Sequence, residues 1–276
     1  MEYIVIDGGS TDGSVEIIEK YSRWLHYWVS ESDHGQSHAI NKGFAKATGT
    51  LLAYINSDDL YEPGAFRQIA PIFMEMPLND LAAGICTVFD EHGEKKIFEP
   101  QWPEHLFDYV KKTFSSTFGQ PAAFWTRDIY AKSGGFDESL HFCFDREFFL
   151  KAGLNGCKTR MLSQRIARFR EHSQSKSLSQ VVAFHEESIQ ILNKYGARCG
   201  LSNREIRHYE RVMLNEIGYM ETFRIWKANG RMAALRKFLQ MLEISPNLLL
   251  QRKFLGQIRR LLFFREKNVE ELQSTR

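Results

Sequence analysis

The sequence predicts an α/β fold, a sheet flanked by helices, with a helical extension at its C-terminal side. Two observations carry this. Up to about Gln180, short apolar strand-like runs such as Leu51-Leu52-Ala53-Tyr54-Ile55 alternate with helical stretches such as Ala65 to Met76. Beyond that point the strand signals fade, and Val181 to Tyr195, Asn203 to Asn229 and Arg231 to Leu242 read as helices joined by short polar or glycine-containing turns. The expected division is therefore residues 1–180 for the α/β domain and 181–276 for the helical extension.

The first element is Tyr3-Ile4-Val5-Ile6, a short β-branched strand. Asp7-Gly8-Gly9-Ser10-Thr11-Asp12-Gly13-Ser14 follows as a permissive turn, and Val15, Ile17, Ile18 and Tyr21 then recur at helical spacing. A strand, a glycine-rich turn and a helix put a carboxylate at the C-terminal end of a strand, where open α/β sheets bind ligands. A loop at Asp33-His34-Gly35-Gln36 leads into a helix over Ala39 to Ala47. The strand over residues 51–55 ends in Asn56-Ser57-Asp58-Asp59, and Glu62-Pro63 begins the next helix. Adjacent carboxylates repel unless a cation or donors hold them, and hard oxygen ligands suit Mg²⁺ or Mn²⁺. Read alone, the turn is equally a solvated one with Asp58 as a helix cap.

Composition narrows the class. A chain of 276 residues, 43% hydrophobic and 25% charged, has the profile of a folded globular protein. A formal net charge of +2 gives no nucleic-acid signature, and no nucleic-acid partner is expected. The four cysteines form no C-x-x-C pair and read as reduced structural thiols. No apolar run reaches the length of a membrane span and no signal peptide precedes the first strand, so the expected location is cytoplasmic. From Ser245-Pro246 to about Asn268, Leu248, Leu255, Ile258 and Leu262 share a helix face, with Arg252, Lys253, Arg259, Arg260 and Arg265 supplying charge. A basic amphipathic helix of this kind either lies on an anionic bilayer or docks on its own protein. The first alternative makes residues 246–268 a peripheral contact at the inner membrane face.

Taken in order, Asp7-Gly8-Gly9-Ser10 with Ser14, Asp33-His34-Gly35-Gln36 with Asn41-Lys42-Gly43, and Ser57-Asp58-Asp59 resemble the family 2 nucleotide-sugar glycosyltransferases of GT-A fold. Gln120-Pro121-Ala122-Ala123-Phe124-Trp125, Gly134-Gly135-Phe136-Asp137-Glu138, Phe144-Asp145-Arg146-Glu147-Phe148-Phe149 and Arg170-Glu171-His172-Ser173 extend the likeness over roughly residues 2 to 178. The resemblance implies a Rossmann-like mixed sheet and a metal-dependent, inverting transfer of a hexose from a nucleotide-sugar donor. The acceptor would be a hydroxyl of a growing glycan or a lipid-linked molecule. It implies Asp58, Asp59 and His172 around a divalent cation, Mg²⁺ or Mn²⁺, and Asp145 as the catalytic base. Asp7, Ser10, Asp33, Gln36, Asn41, Lys42, Asn56 and Ser57 would line the donor site, and Gln120, Trp125 and Arg146 the acceptor or sugar pocket. Gly134-Gly135 reads as a turn that needs positive φ.

The sequence also departs from the family. Asn56 stands where many relatives carry a third aspartate, Gly8 where a second aspartate is common, and His38 where aspartate is usual. The family ordinarily has a further strand and helix before the first one here, and that strand lies centrally, between the Ile4 strand and the one feeding Asp58. Without it the neighbouring strands must pair across a gap, shift register or leave ladder groups unsatisfied. The expectation is intact site residues with weaker nucleotide affinity and stability. Two rivals stand beside the enzyme. One is a degenerate relative that only binds a glycan or a partner. The other is a phosphotransferase, because Asp7 to Thr11 also resembles the phosphate turn of actin-like sugar kinases; Asp58, Asp59 and Asp145 fit it poorly.

Overall fold

The computed structural model describes residues 1–75, 80–111, 118–172 and 180–244, together with Leu255, Gly256 and Arg259. The basic segment 246–268 thus lies outside the described residues apart from those last three. Two compact units divide between Ser202 and Asn203.

In the first unit the order is β1 (Ile4–Asp7), α1 (Ser14–Tyr21), β2 (Tyr27–Ser30), α2 (Gln36–Lys46), β3 (Leu51–Leu52), β4 (Leu60–Tyr61) and α3 (Ala65–Glu75). Then come β5 (Leu81–Asp90), β6 (Gly93–Phe98), α4 (Leu106–Val110), β7 (Ala123–Thr126), α5 (Arg127–Lys132), α6 (Phe144–Leu154), β8 (Thr159–Arg170) and α7 (Val181–Tyr195). The mixed sheet and its helices match the expected class. Helix α7, expected in the extension, belongs to the first unit. It buries Ile191 and Leu192 and sets the Phe184 ring against Phe142, while Glu187 and Tyr195 hydrogen-bond to residues in and just before α6.

The larger sheet runs β3-β7-β5-β8-β4, with β6 also on β5. Strand β5 is its spine, parallel to β8 and antiparallel to β6 and β7. Its sequence LAAGICTVFD is almost continuously apolar, as expected of a strand covered on both faces. Around it Trp125, Phe148, Ile69, Leu150 and Ile166 are wholly buried.

β1 and β2 form a separate parallel pair, in register from Ile4 opposite Tyr27 to Asp7 opposite Ser30. No ladder joins β1 to β3 among the described residues. The structure has two sheets, an arrangement the sequence reading did not name beside pairing across a gap, shifted register or unsatisfied ladder groups. Polar and apolar contacts from elsewhere connect them. The Glu2 carboxylate accepts from the backbone N–H groups of Thr48 (2.7 Å) and Gly49 (3.3 Å), just ahead of β3. Helix α2 lies against β1.

The strand expected over residues 51–55 is shorter in fact, because only Leu51 and Leu52 pair, with Thr126 and Trp125. The chain then leaves the sheet, and the Tyr54 carbonyl accepts from the Gln120 side chain at 2.9 Å instead. Helix α3 begins at Ala65 rather than at Glu62-Pro63. The Gly134-Gly135 turn has the expected positive φ values of 73° and 67°.

The second unit is a helical hairpin, α8 (Asn203–Asn229) and α9 (Arg231–Ile244). Tyr219, Trp226, Ala234, Phe238 and Met241 make its core. Among the described residues no helix is long and apolar enough to cross a membrane.

Candidate active site

The acidic turn separates its two carboxylates by simple geometry. Asn56 to Asp59 is a tight turn, the Asp59 N–H donating to the Asn56 carbonyl at 3.1 Å, and it leaves Asp59 buried and Asp58 partly exposed. Asp59 is 6% exposed. One of its oxygens accepts from the backbone N–H of Arg170 (2.8 Å) and the other from the Asn56 amide (3.2 Å). Burial, the largest influence, pushes its pKa up to about 6 against those two donors. Asp59 thus ties the turn to the end of β8 with one hydrogen bond at each oxygen, which leaves a lone pair on each for the cation the sequence reading expected there.

Asp58 is different. β4 pairs with β8, with Leu60 opposite Arg168, and this carries the end of β8 past the acidic turn. His172 Nε2 lies 3.1 Å from Asp58 Oδ2, and both side chains are about two-fifths exposed, at 42% and 38%. Arg170 donates Nε to the Asp58 carbonyl at 3.1 Å and lays its guanidinium over the Phe89 ring. A cleft of about 390 Å³ opens beside them, lined by Asp90, His92, Lys95, Arg170, Glu171 and His172 among others.

Among the described residues, no three His, Cys, Asp or Glu side chains converge as a complete metal cluster. The Asp58–His172 pair nonetheless fits a small hard cation as two ligands of a larger set. Neighbouring ligands of an octahedral Mg²⁺, each about 2.1 Å from the metal, stand about 3 Å apart, and such ions take their remaining ligands from water and substrate phosphates. The 3.1 Å spacing meets that requirement.

The third carboxylate, Asp145, sits in the first turn of α6. It is half-buried, and one oxygen accepts from the Arg146 N–H at 2.7 Å. Burial lifts its pKa to about 6, opposed by Arg146 and aided by the charge of Glu187. Tyr54 precedes the acidic turn by two residues. Its ring packs against Trp125, Phe136 and Phe144. Burial first, then the carboxylates of Asp145 and Asp59, push the Tyr54 phenol well above its ordinary range. One phenol is thus within electrostatic reach of both acidic sites.

The loop after β2 meets them as well. Gln36 donates to Asn56 Oδ1 at 2.5 Å, and Ser37 donates to the Leu140 carbonyl at 3.2 Å, three residues before Cys143. Asp33 accepts from Gly35 N–H at 2.8 Å. A Cβ at Gly8 would stand 2.6 Å from Asp33 Oδ2. The glycine is thus what lets the Asp33 carboxylate approach the β1 turn. Ser57 is exposed.

Other expected site residues are occupied elsewhere. Asp7 accepts from Gly9 and Ser10 N–H and from the hydroxyls of Ser10 and Ser30, which holds its pKa near about 2. It organises the turn. Asn41 accepts from the Tyr130 hydroxyl (2.6 Å) and Phe136 N–H (3.1 Å) and donates to the Phe136 carbonyl, pinning the Gly134-Gly135 turn rather than lining a donor site. Lys42 is paired with Glu31. Trp125, expected at the sugar, is wholly buried core. Arg146, expected beside it, is also buried, donating to Ser188 (3.1 Å) and the Tyr109 carbonyl (2.7 Å). Gln120 holds the Tyr54 carbonyl.

The sequence reading missed two residues. Tyr54 carried no signal, being one apolar position in a strand. Glu187 did leave one: with Phe184, Ser188, Ile191 and Tyr195 it repeats at helical spacing, an acid on a face otherwise suited to burial.

Residues 1–134 match the family model described as Glycosyl transferase family 2. An uncharacterized glycosyltransferase of Mycobacterium tuberculosis strain H37Rv is 31% identical over 157 residues, covering 56% of this chain. The chain spans 58% of that relative's length. Staphylococcus aureus TarS 1-349, solved in complex with UDP-GlcNAc, superposes with a TM-score of 0.55 at 16% identity, over 87% of this chain and 70% of that one. The mannosyltransferase PcManGT from Pyrobaculum calidifontis, solved with GDP-Man and Mn²⁺, gives 0.53 at 16% identity, over 100% of this chain and 79% of that one. At such identities the two structures speak for the fold.

Proposed function

On the premise that residues 1–134 are a family 2 glycosyltransferase region within a GT-A fold, we propose that the chain transfers a hexose from a nucleotide-sugar donor to a hydroxyl of a glycan or lipid-linked acceptor, with inversion. The observation that carries this reading is Tyr54, which lies four residues before Asp58 and sets its ring against Phe144, the neighbour of Asp145. In this reading a donor gripped at Asp58 presents its sugar to Asp145.

Asp145 is the base. A carboxylate with a pKa near about 6 is mostly ionised at neutral pH yet basic enough to help an alcohol. It takes the proton of the acceptor hydroxyl as that oxygen bonds to the anomeric carbon. The bond from that carbon to the donor phosphate breaks on the opposite face, which inverts configuration. Asp58 and His172 would hold a divalent cation, in line with the Mn²⁺ of the Pyrobaculum enzyme. When bound, that cation neutralises charge on the departing diphosphate. Arg170 adds positive charge beside it; among the described residues no carboxylate ion-pairs with it. Asp33 and Gln36 face the donor from the loop after β2.

A donor screen by nucleotide release, with Mn²⁺ and Mg²⁺, tests the reading. Asp58→Ala is expected to abolish cation-stimulated release. Asp145→Asn is expected to keep donor binding and lose turnover. Turnover untouched by both substitutions would refute the assigned roles. One observation favours a binding-only relative, namely that among the described residues β1–β2 is not laddered to the larger sheet. A silent titration with UDP- and GDP-sugars in the presence of Mn²⁺ would select it.

A further inference from the structure

Helix α7 lies outside the residues matched by the family model, yet it reaches back to the start of α6. Glu187 is 7% exposed. One oxygen of its carboxylate accepts from the backbone N–H of His141 at 2.7 Å. The other accepts from Phe142 at 2.8 Å and Cys143 at 2.7 Å. These three amides lead straight into α6, whose N-cap residue Cys143 offers no side-chain cap. Amides at a helix start lack partners within the helix and present a partial positive charge. Glu187 answers both needs from another helix. The next residue, Ser188, accepts from Arg146 Nη1 at 3.1 Å, and Arg146 Nη2 donates to the Tyr109 carbonyl at 2.7 Å. Cys143, two residues before Asp145, and Arg146, directly after it, are therefore anchored to consecutive residues of α7.

We propose that Glu187 is a positioning residue for Asp145, fixing the 141–143 turn so that the Asp145 carboxylate is presented to the acceptor, and adding a like charge that favours its proton-accepting role. The proposal deepens the reading of Asp145 as the base and rests on it. The groups facing Asp145 are Arg146 and Cys143 beside it, Tyr109 from α4, Tyr54 from the segment after β3 and Glu187 from α7. Arg146 lowers its proton affinity and Glu187 raises it. Removing the Glu187 charge leaves Arg146 less opposed.

The experiment compares the full chain with E187Q and E187D by nucleotide release across pH. E187Q keeps the shape of the side chain but replaces one accepting oxygen by a donor. Its kcat is expected to fall roughly 10- to 100-fold, the scale of a displaced catalytic group, with the donor KM little changed. The acid limb of its kcat profile moves to lower pH. A residue that only braces the fold would lower the melting temperature and leave that limb in place. An acid limb in E187Q coinciding with that of the unmodified chain overturns the proposal, whatever happens to kcat. If E187Q does not fold, E187D stands in: it keeps the charge but withdraws it by one methylene. Lowered kcat with a smaller shift of the limb in the same direction is then expected, and an unaltered profile overturns the proposal. Should the unmodified chain turn over no donor, the functional reading fails first. Amide exchange at His141, Phe142 and Cys143 then decides the positioning claim separately, because protection unchanged in either folded variant would refute it.

Discussion

The two halves of the candidate site are held by different physics. Among the described residues of β1 and β2 only Asp7 is buried, and α1 buries none. Strand β5, by contrast, hides Leu81, Ala82, Ala83, Cys86 and Val88 completely. Asp58, Asp59 and Asp145 rest on the second region, where apolar burial holds the backbone that presents them. Asp33 and the Asp7 turn rest on the first, where carboxylates pin N–H groups and hydroxyls in place of a core. Hydrogen bonds of the second kind contribute about 1 kcal/mol each in net terms, whereas each large core side chain contributes several. The chemical half should therefore be stiff and the donor half compliant.

The largest expected effect tests that contrast directly. Phe148 is wholly buried, packed on Trp125, Phe136 and Phe149. Phe148→Ala should destabilise the chain by about 3–5 kcal/mol in urea unfolding. Ile6 is only partly buried, and Ile6→Ala should cost well under half of that. Equal costs would erase the distinction between the two regions.

Next comes a substitution that weakens function and strengthens the fold. Asp145→Asn should lower turnover roughly 10²- to 10⁴-fold, the usual contribution of a positioned base. Its effect on stability runs the other way. In the folded chain Asp145 has a pKa of about 6, above the ordinary 3.8. Between those values the folded state holds a proton that the unfolded state has released. Stability is therefore greatest at low pH and falls as pH rises through 6. The asparagine variant escapes that loss. It should melt above the unmodified chain at about pH 8, with the gap closing below about pH 4. Thermal melts at the two pH values check this, and a gap of the same size at both would mean that burial of the charge is not the cause.

Much of the chemical half was legible in the sequence. The apolar run before Asn56-Ser57-Asp58-Asp59, the acid opening α6 and the histidine after β8 are local patterns, and β4–β8 pairing brings Asp58 and His172 together. What local pattern could not reveal is how each side chain spends its hydrogen bonds. Adjacent aspartates look alike in sequence, and only the register of β4 with β8 ties Asp59 to the end of β8. Asn41, Trp125 and Arg146 were misplaced for the same reason, since their partners lie far along the chain. The grouping of α7 with the first unit rests on the burial of Ile191 and Leu192 and on Phe184 and Glu187 meeting residues far earlier in the chain, which composition does not report.

A smaller effect probes the donor half. Gly8→Ala would place a Cβ 2.6 Å from Asp33 Oδ2, so the carboxylate must move. Donor nucleotide binding, read by calorimetry, is expected to weaken about 3- to 10-fold, with unfolding free energy changed by about 1 kcal/mol or less. Unaltered affinity would remove Asp33 from the donor site, and a loss of stability comparable to Phe148→Ala would show that this half is as tightly packed as the other.

The smallest effect concerns the link between the sheets. Glu2 gathers Thr48 and Gly49 N–H and the Thr48 hydroxyl, and those bonds lower its pKa to about 2. A carboxylate so lowered stabilises the folded chain above its ordinary pKa and surrenders that stabilisation as pH falls from 4.5 toward 2. Glu2→Gln should therefore lower the melting temperature slightly at neutral pH and converge with the unmodified chain in acid. The effect is small because solvent screens an exposed carboxylate. It is nevertheless the sharpest probe of the comparison. The described residues offer no β1–β3 ladder, so if the two sheets unfold as one cooperative body, polar bonds such as these and the packing of α2 on β1 must transmit the coupling. A large, pH-independent loss in Glu2→Gln would make this side chain a principal joint. A slight one, vanishing in acid, leaves α2 as the element that binds the donor half to the chemical half.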